Sequence, residues 1–273
     1  MKTPIVWMNL RNSVAVVMMA AYLVSCSGSK EAMSDTAVLA TQTTDATIWY
    51  AESAENDYIY LQLYHYATQI VAKKTGRDGK RPRAVVLDLD ETVLDNSPYQ
   101  YRMIAKGQTY TPETWNQWVN EASAEALPGA LEFVRYCEQM GVEVFYISNR
   151  SIETFQATTQ NLKQLGFPNA DEEHVLLKEN SSDKTERRGT VSDQYEIILL
   201  LGDQLTDFDQ IFDNENAEER AAMVSSQWEE MRSSFVLFPN PIYGGWMDPV
   251  MRGAEGDKKK RNAKDGFVND QLR

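Results

Sequence analysis

Two short stretches of the chain carry acids at spacings that could do chemistry. In AVVLDLDETVLDNSP (84–98), Asp88 and Asp90 follow directly on the uncharged run Ala84-Val85-Val86-Leu87. In LLGDQLTD (200–207), Asp203 and Asp207 follow another apolar run. An uncharged β-branched run reads as a buried strand, of a parallel sheet covered on both faces. Acids at its C-terminal end lie in the crevice where open α/β sheets bind ligands. Residues two apart on a strand face the same way, and a turn at the strand end can aim both at one point. Carboxylates gathered there repel each other unless a cation or a shared proton relieves them. The arrangement asks for a divalent metal.

The elements that would position these acids follow an α/β rhythm. A helix over 128–140 closes at Gly141, and a strand over 142–147 ends in Ser148-Asn149-Arg150. A helix over 152–165 stops at Gly166 and Pro168, and a short strand over 175–177 precedes a polar stretch containing Lys184. A strand over 197–201, a helix over 214–231 and a last strand over 235–238 complete the series. The pattern specifies an α/β fold, a Rossmann-like parallel sheet flanked by helices. Upstream, Ile48, Tyr50, Ala54, Tyr58, Leu61, Tyr64 and Ala67 recur at helical spacing and read as one core face, with His65 structural. Residues 96–127 break the rhythm. They hold Tyr99, Tyr101, Tyr110, Trp115 and Trp118, with Thr111-Pro112-Glu113 as a helix start. This small helical accessory region reads as a lid over the crevice or, alternatively, as an outcrop packed on the core.

Composition narrows the function classes. The 273 residues carry a net charge of −13, and removing Lys2 and Arg11 with the first 25 residues takes it to −15. That balance argues against a nucleic-acid polymer as partner, which needs a basic footprint. Residues 1–25 read as a signal peptide, with an apolar stretch over 14–24 too short to span a bilayer. The ending Leu23-Val24-Ser25-Cys26 resembles the lipobox of bacterial lipoproteins, in which Cys26 would receive the lipid. That reading makes the membrane a partner through the anchor and the bacterial outer membrane the expected location. Cys137, the other cysteine, sits in a helical pattern as a small core residue. Residues 26–46 read as a flexible tether, 47–252 as the folded domain and 253–273 as a loose charged tail. The oligomeric state, including a homo-oligomer, is left open.

In chain order the strand ends and loops supply Asp88, Asp90, Ser148, Lys184, Asp203 and Asp207. These lie in DLDETVLDNSPY (88–99), FYISNR (145–150), SSDKTERR (181–188) and LLGDQLTDF (200–208), followed by FPNPIYGGW (238–246). The ordered set resembles the haloacid-dehalogenase-like phosphohydrolase superfamily. Within it, the chain is similar to the class C bacterial acid phosphatases, the lipoprotein branch also described as 5′-nucleotidases. The resemblance spans residues 47–250, and Gln204 departs from it where members commonly carry Asn.

The resemblance implies hydrolysis of phosphomonoesters such as nucleoside 5′-monophosphates. Asp88 would attack phosphorus and form an aspartyl-phosphate, and Asp90 would protonate the leaving alcohol and then activate water. Mg²⁺ would be held by Asp88, Asp203 and the main-chain carbonyl of Asp90. Asp207 would orient a metal water or Lys184, Ser148 would donate to a phosphate oxygen, and Lys184 would neutralise charge. Thr92 would hold the Asp90 loop, and Glu91 reads as an exposed or structural acid. Asn149 and Arg150 would bind substrate or anchor their loop. Trp115 and Tyr243 match positions that flank a bound base, where stacking accepts any base, though both also fit as core aromatics. An ionised Asp88 beside a protonated Asp90 implies mildly acidic turnover. The alternatives are a narrower sugar-phosphate phosphatase and a non-catalytic, lipid-anchored ligand-binding protein that retains the fold.

Overall fold

A computed structural model describes residues 32–76, 81–214, 216–251 and 253–272. The leader, its lipobox and Cys26 lie outside the described residues. The chain divides into units 1–34 and 35–273, and every element named below belongs to the second.

Five parallel strands make one sheet: β1 (Arg83–Leu87), β4 (Val142–Ser151), β5 (Val175–Lys178), β6 (Glu196–Gly202) and β7 (Phe235–Leu237). Their order is β5-β4-β1-β6-β7, so β1 sits at the centre with β4 and β6 as its neighbours. The β1 side chains alternate between two cores, as a strand buried on both faces must. Val85 and Leu87 join Tyr60, Tyr64, Phe133 and Leu162 on one face, whereas Ala84 and Val86 join Phe145 and Val191 on the other. The first face is covered by α3 (Ala54–Thr75), α6 (Ala130–Gln139) and α7 (Phe155–Leu165). The second is covered by α8 (Thr185–Gln194) and α9 (Ala217–Ser234). Cys137 lies in the first core as a free thiol, which burial pushes up to about 12, and it has no nucleophilic role there.

The insertion forms a short antiparallel hairpin, β2 (Leu94–Asp95) with β3 (Glu125–Ala126). Between these strands stand α4 (Ser97–Lys106) and α5 (Pro112–Asn120). Thr111 caps α5 by accepting from Thr114 N at 3.1 Å, and Pro112 occupies the first turn, where its missing N–H costs nothing.

Three expectations change. The upstream helical pattern is two helices, α2 (Thr44–Glu52) and α3, broken at Ser53, whose hydroxyl accepts from Asn56 N at 3.1 Å. The buried α3 face carries Tyr60, Tyr64, Ala67, Ile70 and Val71, while Ile48, Tyr58 and Leu61 are exposed. The reason lies in the tyrosine hydroxyls. Tyr60 donates to the carbonyl of Glu91, and Tyr64 to that of Thr92 at 2.6 Å, so the loop after β1 selects which aromatics turn inward. Second, the region expected as a tether is helical from Asp35: α1 (Asp35–Thr41) buries Leu39 and Ala40. Third, the expected loose tail contains α11 (Asp257–Asp270), which follows the short α10 (Asp248–Met251) and packs on α1.

Candidate active site

The loops that follow β1, β4 and β6 meet at the C-terminal edge of the sheet. Asp88 N donates to Leu201 O at 2.9 Å, which ties the end of β1 to the end of β6. Oxygens of Asp88, Asp203 and Asp207 lie within 4.8 Å of one another. Lys184 sits at the N-terminus of α8, and its buried ammonium donates to Asp88 and, at 2.6 Å, to Asp207 Oδ1. The other Asp207 oxygen accepts from Gln204 N at 2.9 Å, so both of its oxygens are engaged. Asp203 accepts from Gln204 Nε2 and Asn240 Nδ2, each at 2.7 Å. Gly202 makes the cluster sterically feasible, because a Cβ there would stand 2.3–2.5 Å from Asp207 side-chain atoms.

Electrostatics follow from this crowding. Burial pushes the Asp88 carboxyl well above the usual carboxylate range, and Asp207, Asp203 and Asp90 add to that against the opposing pull of Lys184. Burial and Asp207 raise Asp203 to about 7. Burial opposes the charge on Lys184, but Asp207 and Asp88 outweigh it and raise its pKa. Three clustered carboxylates offer hard oxygen donors, the set a divalent cation prefers, so these residues fit a metal.

Asp90 is held differently, two residues from Asp88. Arg150 grips it in a fork, with Nε to Oδ1 at 2.9 Å and Nη2 to Oδ1 at 2.7 Å. Asn96 Nδ2 adds a bond at 3.0 Å, and Ser148 Oγ stands at 3.4 Å from the other oxygen. Of the two readings of Arg150, substrate contact or loop anchor, its contacts fit the anchor: the side chain lines the cavity but is 1% exposed and bonded to Asp90. Asn149 is likewise occupied, donating to Ser182 O at 2.9 Å and accepting from Arg187 at 2.7 Å. Strand β4 runs on through these residues to Ser151, which aims Ser148 and Arg150 inward and Asn149 outward. The carbonyl of Thr92, not its hydroxyl, fastens the loop to α3; the buried hydroxyl has no protein partner.

A cavity of about 470 Å³ opens onto Asp88, Asp90, Ser148, Lys184 and Asp203. Trp115 and Tyr243 both line it, and Trp115 is braced edge-on by Tyr99 with ring centroids 5.1 Å apart. The insertion therefore contributes a wall of the cavity, and it also packs on the core through Tyr99, Met103, Trp118 and Val119.

Several residues organise the site in ways the sequence did not assign to them. Glu91 is fully buried at φ 55° and accepts from the Tyr243 hydroxyl, so an acid read as exposed or structural sits under the cavity wall. Burial raises its pKa, with Asp90 and Asp203 adding to the effect. Arg187 clamps Ser148 O at 2.7 Å, and Arg188 reaches Asp207 O at 3.2 Å. Gln204 Oε1 accepts from Gly245 N at 3.0 Å, fastening the PNPIYGGW segment to the acid cluster. Arg187, Arg188 and Asn240 belong to quoted motifs, but nothing in their spacing tells a clamp from a surface residue.

Clustered acids and a buried lysine at the C-terminal edge of a parallel sheet, opening onto a cavity, fit a hydrolase of the α/β class. The family described as HAD superfamily, subfamily IIIB (acid phosphatase) matches residues 12–246, and the chain belongs to it. The class C acid phosphatase of Bacillus anthracis is similar in structure, with a TM-score of 0.79 and 36% identity, covering 84% of this chain and 97% of that one. The same enzyme with tungstate bound matches at a TM-score of 0.78. Among curated relatives, the stem 31 kDa glycoprotein of Glycine max is 25% identical over 70% of this chain and 69% of its own length. Acid phosphatase 1 of Solanum lycopersicum is 28% identical over 56% of this chain and 60% of its own. The protein is thus an acid phosphatase of the HAD superfamily, a hydrolase of small phosphate esters.

Proposed function

We propose that the protein is a Mg²⁺-dependent phosphatase of nucleoside 5′-monophosphates that works through an aspartyl-phosphate on Asp88. The observation that carries this reading is the contrast between two acids two residues apart. Asp88 shares Lys184 with the metal-type cluster, whereas Asp90 stands outside that cluster in the grip of Arg150. In-line displacement needs such a division: one carboxylate oxygen to attack phosphorus, the other acid to protonate the leaving oxygen. Asp90 then takes a proton from the water that hydrolyses the acyl phosphate, returning both acids to their starting states.

Asp88, Asp203 and the carbonyl of Asp90 would hold Mg²⁺, with Asp207 orienting Lys184. Bound there, the cation would supply positive charge to the phosphoryl oxygens. Lys184 supplies the protein's own charge, and Ser148 directs a hydroxyl toward the same region. The base would lie between Trp115 and Tyr243, whose rings accept purines and pyrimidines alike.

The leader supports export and lipid anchoring at Cys26, with the outer membrane as destination. Labelled palmitate incorporated by the wild type and lost in Cys26→Ser is the expected result.

Phosphate release from AMP and from p-nitrophenyl phosphate at mildly acidic pH, with Mg²⁺ or EDTA, tests the catalytic reading, with Asp88→Asn as control. Turnover lost with EDTA and with the variant supports it. A folded, Mg²⁺-loaded protein that releases no phosphate from either ester would favour the binding-protein alternative.

A further inference from the structure

We propose that the C-terminal helix α11 is a latch: it holds α1 in place as the outer wall of the substrate cavity, and that wall sets which organic groups the site accepts. The inference rests on the phosphatase reading for its substrate and on geometry for its latch.

Helix α1 has seven residues, far below the ~12–15 at which isolated helices become even marginal in water, so its placement depends on tertiary contacts. Two of these come from α11. Arg261 Nη1 donates to Asp35 Oδ1 at 2.9 Å, and the Thr36 hydroxyl donates to Asp257. A third contact faces the insertion. Gly107 ends α4 at φ 60°, and a Cβ there would come within 3.1 Å of Ala37 Cβ, so this glycine admits the close approach of α1.

With its outer side latched and Ala37 seated on Gly107, α1 presents Leu39 and Ala40 to the cavity that also holds Asp88. Thr43 continues that wall, and Met103, Ile104 and Gln100 of α4 stand in it too. Charged lining residues come from the strand-end loops and β4, whereas those named from α1, α4 and Thr43 are all uncharged. A second phosphate on the substrate would find no counter-charge among these side chains, whereas a neutral ring system would find apolar surface. The chemical class is therefore a phosphomonoester whose organic part is uncharged and large enough to reach α1.

The test uses the full chain with Arg261→Asp, alone and combined with Asp35→Arg. Amide hydrogen exchange is read over residues 36–43, and KM is read for 1-naphthyl phosphate and for the smaller phenyl phosphate. Arg261→Asp is expected to speed exchange over 36–43 and to raise KM for the naphthyl ester roughly fivefold, the scale of one surface ion pair. KM for phenyl phosphate is expected to stay within about twofold on the same scale, and the charge-swapped double variant to restore both readouts. Unchanged exchange, or equal changes in KM for both esters, would overturn the latch. A wild type that cleaves neither ester would remove the phosphatase reading, while the exchange arm would still decide whether α11 holds α1.

Discussion

Replacing Arg150 by Met separates a residue that binds phosphate from one that positions Asp90. The guanidinium makes contacts of 2.9, 3.2 and 2.7 Å to the Asp90 carboxylate, with Arg150 1% and Asp90 15% exposed. Removing one partner of a buried pair costs ~3–5 kcal/mol, because it strands the other charge. Asp90 keeps Asn96 and some solvent contact, so the lower end applies, on the order of 3 kcal/mol. For a domain of this size that lowers Tm by about 6–12 °C, measurable by calorimetry. Turnover should fall more steeply. In its proposed role of general acid, Asp90 would contribute roughly 10²–10⁴ in rate and would lose much of that without its fork, so kcat should drop about a hundredfold. KM should change little, because Arg150 is spent on Asp90. Arg150→Lys should fold better than the Met variant yet recover little kcat, since an ammonium cannot reproduce the two-pronged grip. A variant with near-normal kcat, normal Tm and a strongly raised KM would refute the reasoning and return Arg150 to direct substrate binding.

The central strands were legible because their signal is local. The uncharged runs before Asp88 and Asp203 can be buried on both faces only in a covered sheet, and acids at their ends can converge only at the C-terminal edge. What failed depends on partners far away in sequence. Ser148 and Arg150 share a strand face by spacing alone, but that Arg150 meets Asp90, 60 residues earlier, is a fact of sheet order. Tyrosines recur on more than one side of α3, and hydrophobicity does not say which side turns inward. The hydroxyl acceptors at Glu91 and Thr92 decide it, and they lie in a loop the helix does not touch in sequence. Helices α1 and α11 each look too polar or too short to be ordered. Their contact joins residues 221 positions apart, and each supplies the partner the other lacks.

Two further perturbations probe the acid cluster itself. Gly202→Ala forces a methyl group within 2.3–2.5 Å of Asp207, which should destabilise the protein by about 1–3 kcal/mol and lower kcat by displacing Asp207 from Lys184. Urea unfolding and a single-ester assay check both effects, and an unchanged kcat would mean that Asp207 is free to move. The second perturbation is metal removal across pH. With EDTA present, Asp203 is raised to about 7 against an ordinary 3.8, and Asp88 is raised as well, so the folded state keeps protons that the unfolded chain has already released. Stability falls with pH wherever the folded state binds more protons, so the metal-free protein should lose stability as pH rises from about 4 to about 7. Lys184 does not reverse this trend, because its raised pKa adds stability that is lost only at alkaline pH. A divalent cation acts in the opposite sense, since it binds the ionised carboxylates and competes with their protons. The increase in Tm on adding Mg²⁺ should therefore be small at pH 4.5 and much larger at pH 7.5. Equal increases at both values would mean that the cation binds away from the carboxylates gathered behind β1 and β6.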